Sequence, residues 1–133
     1  LRDYVERLCL DECVTFTGHI PFAQILSYYH LADALLCLSR HEGFCVPLVE
    51  AMYFSVPVLA YDQCAVGKTL GGSGLLSPTN DAELVAGMLY HLLHDAGMKE
   101  KAIAGERERL QDFDHAKIKA QFLAELKAIL QND

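Results

Sequence analysis

Ala34-Leu-Leu-Cys-Leu-Ser39, the loop Arg40-His-Glu-Gly-Phe-Cys45, the segment Val46-Pro-Leu-Val-Glu-Ala-Met52 and the run Pro57-Val-Leu-Ala-Tyr61 decide how this chain folds. The first and last are almost continuously apolar, the pattern of parallel strands covered on both faces. Between them, Pro47–Phe54 reads as a helix that opens with proline, whose fixed φ suits the first helical turn. A strand, a short loop, a helix and a second strand read as one parallel crossover unit.

The same alternation continues outward. Val14-Thr-Phe-Thr17 and Gly74-Leu-Leu-Ser77 read as further strands, giving about four. Phe22, Ile25, Leu26 and Tyr29 follow helical spacing behind Pro21. Asn80, with Glu83 three residues on, reads as a capping box. Leu84, Val85, Met88, Leu89 and Leu92 form the buried stripe of the helix behind it. Two more helices are expected over Met98–Leu110 and Asp114–Leu130. The fold class is therefore α/β, a Rossmann-like, doubly wound parallel sheet carrying two extra C-terminal helices. Residues 1–95 form the partial Rossmann-like domain and residues 96–133 a helical extension of it. The charges agree: only Asp33, Arg40, Glu42, Glu50, Asp62 and Lys68 are charged between Cys13 and Asn80, whereas Lys99–Asp133 holds seven basic and seven acidic residues. The former reads as sheet with covering helices, the latter as solvent-facing helices.

At 133 residues and 52% hydrophobic, the chain can bury a core and is not disordered. Its net charge of −7 and lack of a basic patch argue against nucleic acid as a partner. No apolar run approaches the roughly 18 residues of a spanning helix, and no secretory leader is evident. The five cysteines are odd in number and scattered. Cys9 and Cys13 lack a second pair to complete a zinc site, so no metal site is read and a reducing cytoplasm is the expected location. Cys37 reads as a small buried hydrophobe.

In an open parallel sheet, ligands bind beyond the carboxyl ends of the strands. Three segments converge there: Gly18-His19-Ile20, Arg40-His41-Glu42-Gly43-Phe44 and Asp62-Gln63. The middle loop leads into a helix start, whose free amides and dipole suit an anion. Gly43 admits a close ligand, and Glu42 and Glu50 both reach toward one pocket. An isolated helical glutamate is ordinarily solvated, but Leu48, Val49, Ala51 and Met52 surround Glu50, and a charge there is costly without a partner. Gly67-Lys-Thr69 fails as a phosphate loop, because Asp62, followed by Gln63, stands where glycine is needed. His91 and His94 read as surface residues, and His30 and His115 have no assigned role.

These residues resemble a known family. His41-Glu-Gly-Phe-Cys-Val-Pro-Leu-Val-Glu-Ala-Met52, followed by Ser55-Val-Pro-Val-Leu-Ala60, is similar to the Glu-x7-Glu signature of retaining GT-B glycosyltransferases of family 4. Phe16-Thr-Gly-His-Ile20, Tyr29-His-Leu-Ala-Asp33, Gly71-Gly-Ser-Gly-Leu-Leu76 and Asn80-Asp-Ala-Glu-Leu84 extend the likeness over about Val14–Asp95. The resemblance implies the C-terminal, donor-binding domain of a hexosyltransferase acting on a glycan or lipid-linked acceptor in surface polysaccharide synthesis. The donor would be a UDP-, GDP- or ADP-sugar, with no other cofactor and no metal.

By this resemblance Glu42 is the catalytic carboxylate beside the transferred sugar, orienting its hydroxyls and stabilising developing positive charge. The backbone of Gly43, Phe44, Cys45 and Val46 would hold sugar and diphosphate, with the helix start at Val46–Leu48 assisting. Glu50 would take the ribose, and Gly18, His19 and Ile20 would lie near the base. Arg40 and His41 border the pocket. Cys45 departs from the glycine many members have, and no adjacent base supports it as a nucleophile. The cationic phosphate clamp and the acceptor domain of the family are not matched by these residues. The chain, beginning at Leu1 rather than Met, is therefore expected to be a piece that is inactive alone. It would partner an N-terminal acceptor domain, self-associate through an exposed sheet edge, and approach a membrane surface only as part of the longer protein. The alternative is a non-catalytic Rossmann-like nucleotide-binding or interaction module.

Overall fold

The computed structural model describes residues 1–131. Its centre is a three-stranded parallel sheet in the order β1-β2-β3, formed by β1 (Leu35–Cys37), β2 (Val58–Tyr61) and β3 (Leu75–Ser77). In register, Leu35 pairs with Val58 and Leu59 with Leu75. Helices α1 (Arg2–Arg7) and α2 (Phe22–Leu31) precede β1. Helix α3 (Val46–Phe54) crosses from β1 to β2, and the short α4 (Val66–Leu70) crosses from β2 to β3. After the sheet come α5 (Ala82–His94), α6 (Ala96–Leu110), a 3-10 turn (Gln111–Phe113) and α7 (His115–Leu130).

The continuous apolar run of β2 has a direct structural cause. Val58, Leu59 and Ala60 are all fully buried, and successive side chains leave opposite faces of the sheet. Val58 and Ala60 join Leu48, Ala51, Met52, Val66 and Leu70 in one core cluster, built mainly from α3 and α4. Leu59 joins Val85, Leu92 and Ala102, from α5 and α6, in a second. Burying a leucine- or methionine-sized side chain is worth about 1.5–3 kcal/mol relative to exposure. Leu48, Met52 and Leu59, all fully buried, therefore weld the two layers to the central strand.

Several expectations need correction. Val14–Thr17 is not a strand, so the sheet has three strands rather than four. Its only backbone bond to other parts of the chain, among the described residues, is Val14 N donating to Leu10 O, and Val14 and Phe16 are each 37% exposed. Apolar alternation makes no strand where no neighbouring strand accepts the hydrogen bonds. The cap of α5 is Asp81, whose carboxylate accepts from Leu84 N at 3.0 Å, not Asn80. Helix α6 begins at Ala96, ahead of Met98, because Asp95 accepts from Met98 N at 2.9 Å and so caps it. Asp114 likewise caps α7, accepting from Ala116 N and Lys117 N. No residue of α7 is buried, and Phe122 and Ile129 are more than 60% exposed.

Candidate functional site

The loop from Ser39 to Cys45 leaves the carboxyl end of β1 and enters α3. Its carbonyl side is pinned to the next crossover. Ala65 N donates to Glu42 O at 3.3 Å, and Thr69 Oγ1 donates to Phe44 O at 2.5 Å. The Phe44 ring meets Phe113 edge-on, 5.6 Å between centroids. With the carbonyls of Glu42 and Phe44 thus engaged, the amides of Gly43, Phe44, Cys45 and Val46 have no protein acceptor among the described residues. Four consecutive free donors at the start of a nine-residue helix form a cradle for anions and hydroxyls.

Of the helix start Val46–Leu48, only Val46 offers a free amide, because Pro47 has no N–H and Leu48 N donates to Cys45 O at 3.0 Å. The cradle therefore lies in the loop and at the first helical residue, not along the first turn.

Cys45 is the helix N-cap, with φ 66° and ψ 68° in the left-handed region. A residue with a Cβ pays strain there, a cost that persists where the surroundings over-determine the backbone. Its thiol is buried and stands 3.6 Å from the Cys37 thiol at the end of β1. Burial, then the hydrogen bond with Cys37, pushes it up to about 12, so it is a neutral thiol at physiological pH and not a nucleophile. Gly43 has ordinary φ, and a Cβ built on it meets nothing within 4 Å. Its own fold does not require glycine, and the space above it is open.

Glu50 lies on α3 below the loop and is half-buried. The Tyr29 hydroxyl of α2 donates to its Oε2 at 2.9 Å. Tyr29 stacks on Phe54, 5.5 Å between ring centroids, so the donor is held in place. Burial, then the bond to Glu50, pushes the phenol well above its ordinary range, which keeps it a donor. Tyr29 also lines a cavity of about 390 Å³ whose walls include Gly18, Ile20, Ile25, Tyr28 and Leu35. Gly18 and Ile20 are thus joined to Glu50 through one residue, whereas His19 is exposed and outside that wall. In the sequence Tyr29 stands out only as a core position of its helix. Its role as a partner was hidden because the two residues are 21 apart on different helices.

The remaining expected residues are also placed. Arg40 is exposed, and its Nε and Nη2 donate to the Asn80 amide oxygen at 3.0 Å each, with the amide turned so that its oxygen faces the guanidinium. His41 Nδ1 lies 3.8 Å from Cys64 Sγ, which also reaches Arg40 O at 3.7 Å. Glu42 is half-buried, and a carboxylate oxygen and the Cys37 and Cys45 sulfurs all lie within 4.8 Å of one another. A second cavity, about 410 Å³ and polar, lies among Gly71, Ser73, Arg109 and Asp112, and none of the expected site residues lines it. There Lys117 and Arg109 hold the Asp112 carboxyl below its usual range.

A parallel sheet with helices packed on both faces defines an α/β fold, and this chain matches GT-B glycosyltransferase structures. It aligns with sucrose-phosphate synthase from Thermosynechococcus elongatus at TM-score 0.81 and 27% identity, over 99% of this chain and 34% of that one. The C-terminal domain of a glycosyl transferase group 1 family protein from Francisella tularensis gives TM-score 0.70 and 25% identity, over 83% of this chain and 58% of that one. The family model for glycosyl transferases group 1 matches residues 1–109, and the chain belongs to that family. It is 28% identical to O-antigen chain mannosyltransferase B of Escherichia coli, over 78% of this chain and 27% of that protein. It is 33% identical to phosphatidyl-myo-inositol mannosyltransferase of Mycolicibacterium smegmatis, over 81% of this chain and 29% of that protein. The chain therefore spans less than a third of the length of these two relatives.

Proposed function

We propose that this chain is the donor-binding part of a retaining, nucleotide-sugar-dependent hexosyltransferase. The observation that carries the reading is the run of four free amides at Gly43–Val46, bracketed by Glu42 and Glu50. The amides and the positive end of α3 hold the diphosphate and the sugar hydroxyls. Glu50, oriented by Tyr29, accepts from the ribose hydroxyls. The base of a UDP-, GDP- or ADP-sugar enters the cavity bounded by Gly18, Ile20 and Tyr28. Glu42 lies beside the anomeric carbon, orients the sugar and stabilises the positive charge that develops as the bond to diphosphate breaks. No bound metal is needed for these roles.

The names of the relatives support a hexose donor and a glycan or lipid-linked acceptor, as in surface polysaccharide synthesis. Acceptor binding and turnover belong to a longer protein, and the 133-residue chain alone binds donor without transferring it. The test is a titration of UDP, GDP, ADP and their sugars against the chain and against Gly43→Val. The added side chain enters open space, so stability should change by no more than about 0.5 kcal/mol. Nucleoside diphosphate affinity should fall about fivefold, through crowding of roughly 1 kcal/mol. Unchanged affinity in the variant removes Gly43 from the site.

A further inference from the structure

The sulfurs of Cys37 and Cys45 are 3.6 Å apart, and a Glu42 carboxylate oxygen completes a group of three ligand atoms within 4.8 Å of one another. We propose that Cys37, Cys45 and Glu42 form a site for one thiophilic divalent cation of the Zn²⁺ or Cd²⁺ type, with its fourth position open to water.

The separation of the sulfurs, which is that of two free thiols in hydrogen-bond contact, also suits a shared metal. Zn–S bonds of about 2.3 Å at a tetrahedral angle place two thiolates about 3.8 Å apart. A disulfide needs the sulfurs at about 2.05 Å. The present spacing lies within a few tenths of an ångström of the first and about 1.5 Å from the second. Two thiolates and one carboxylate are the mixed soft and hard donors that Zn²⁺ accepts. Rigidity favours the site as well. Cys37 is fixed by pairing with Ala60 in the sheet, and Cys45 by its place as the N-cap of α3.

The spacing Cys37-x7-Cys45 is too long for the short-loop zinc patterns, so only the fold reveals the pair. Metal uptake itself rests on the three side chains alone. Its consequence rests on the function proposed above: a cation that takes Glu42 removes it from the donor sugar, so Zn²⁺ would act as an inhibitor of donor binding rather than as a cofactor.

The test uses a background in which the exposed thiols are removed by Cys9→Ser, Cys13→Ser and Cys64→Ser, kept reduced with a phosphine under argon. Cd²⁺ is titrated and its thiolate charge-transfer absorption is followed, then Zn²⁺ is added in competition. The expected result is one equivalent of Cd²⁺, displaced by Zn²⁺, with a rise in Tm on binding either ion. Adding Cys45→Gly, which suits the left-handed backbone at that position, should abolish the absorption while leaving the fold intact. Cys37→Ala should do the same, and Glu42→Gln should weaken binding about tenfold.

No absorption, more than one equivalent, absorption surviving Cys45→Gly, or thiols lost to a disulfide with no metal retained would each overturn the site. Saturation with Zn²⁺ should also lower UDP, GDP or ADP-sugar affinity at least tenfold. Stoichiometric Zn²⁺ with unchanged nucleotide-sugar affinity would leave the metal site standing and remove Glu42 from the donor pocket.

Discussion

Glu50→Ala is expected to weaken nucleoside diphosphate binding by about 10- to 100-fold, the worth of hydrogen bonds from a ribose to a charged acceptor, about 1.5–3 kcal/mol. The size of the effect follows from the setting of the carboxylate. It is half-buried on α3, and the one side-chain hydrogen bond it makes among the described residues comes from Tyr29, at 2.9 Å on Oε2. Oε1 is thereby left for a ligand. Glu50→Gln keeps the shape and an acceptor for Tyr29 but loses the charge, so its loss should be about tenfold. Tyr29→Phe removes the hydroxyl that faces Glu50 Oε2 and, at 3.4 Å, Pro47 O while keeping the stack on Phe54, and should cost a few-fold. Calorimetric titration of the three variants checks this order. Equal affinities for the chain and Glu50→Ala would remove Glu50 from the ribose site.

The second large effect concerns stability. Glu106 of α6 is fully buried; its Oε1 accepts from Val58 N at 2.8 Å, and its Oε2 has no partner among the described residues. Burial pushes its carboxyl up from 4.5 to about 7, with the Val58 bond opposing. The native chain therefore holds a proton that the unfolded chain releases, across the window from about pH 4.5 to 7. Stability from this group is full below about 4.5 and falls as pH rises toward 7. Glu106→Gln keeps an acceptor for Val58 N and cannot ionise. It should match the parent near pH 4.5 and exceed it by on the order of 2 kcal/mol at pH 8. Urea unfolding at the two values measures the difference, and a gap independent of pH would show that the Glu106 carboxyl ionises in the folded chain at the same pH as in the unfolded one.

Both effects depend on contacts that cross the fold, which explains what could be read from the sequence. The runs at Ala34, Pro57 and Gly74 were legible as strands from their apolar residues, although only β2 is buried on both faces and Leu36 of β1 is exposed. The helix after Ser39–Cys45 was legible from Pro47 and the apolar spacing behind it. Val14–Thr17 carries similar chemistry but has no strand beside it, and pairing is not a local property. The loop joining β1 to α3 was legible from the break in apolar sequence at Arg40–Gly43 ahead of Pro47. Tyr29 as the partner of Glu50, the Cys37–Cys45 contact and Asn80 as the partner of Arg40 were not, since each joins separate elements. The Asp81 and Asp95 caps were within reach, because each stands three residues before the amide it accepts from. Asn80 drew the first cap away because it too is a good capping residue.

The donor-site assignment at the carboxyl end of β1 is tested most directly by amide chemical shifts recorded while UDP, GDP or ADP is titrated into the chain. We predict saturable shifts at Gly43, Phe44, Cys45 and Val46, extending to Glu50 and Gly18. Shifts confined to the polar cavity of Gly71, Ser73, Arg109 and Asp112, or no saturable shift with any of the three nucleotides, would contradict the assignment.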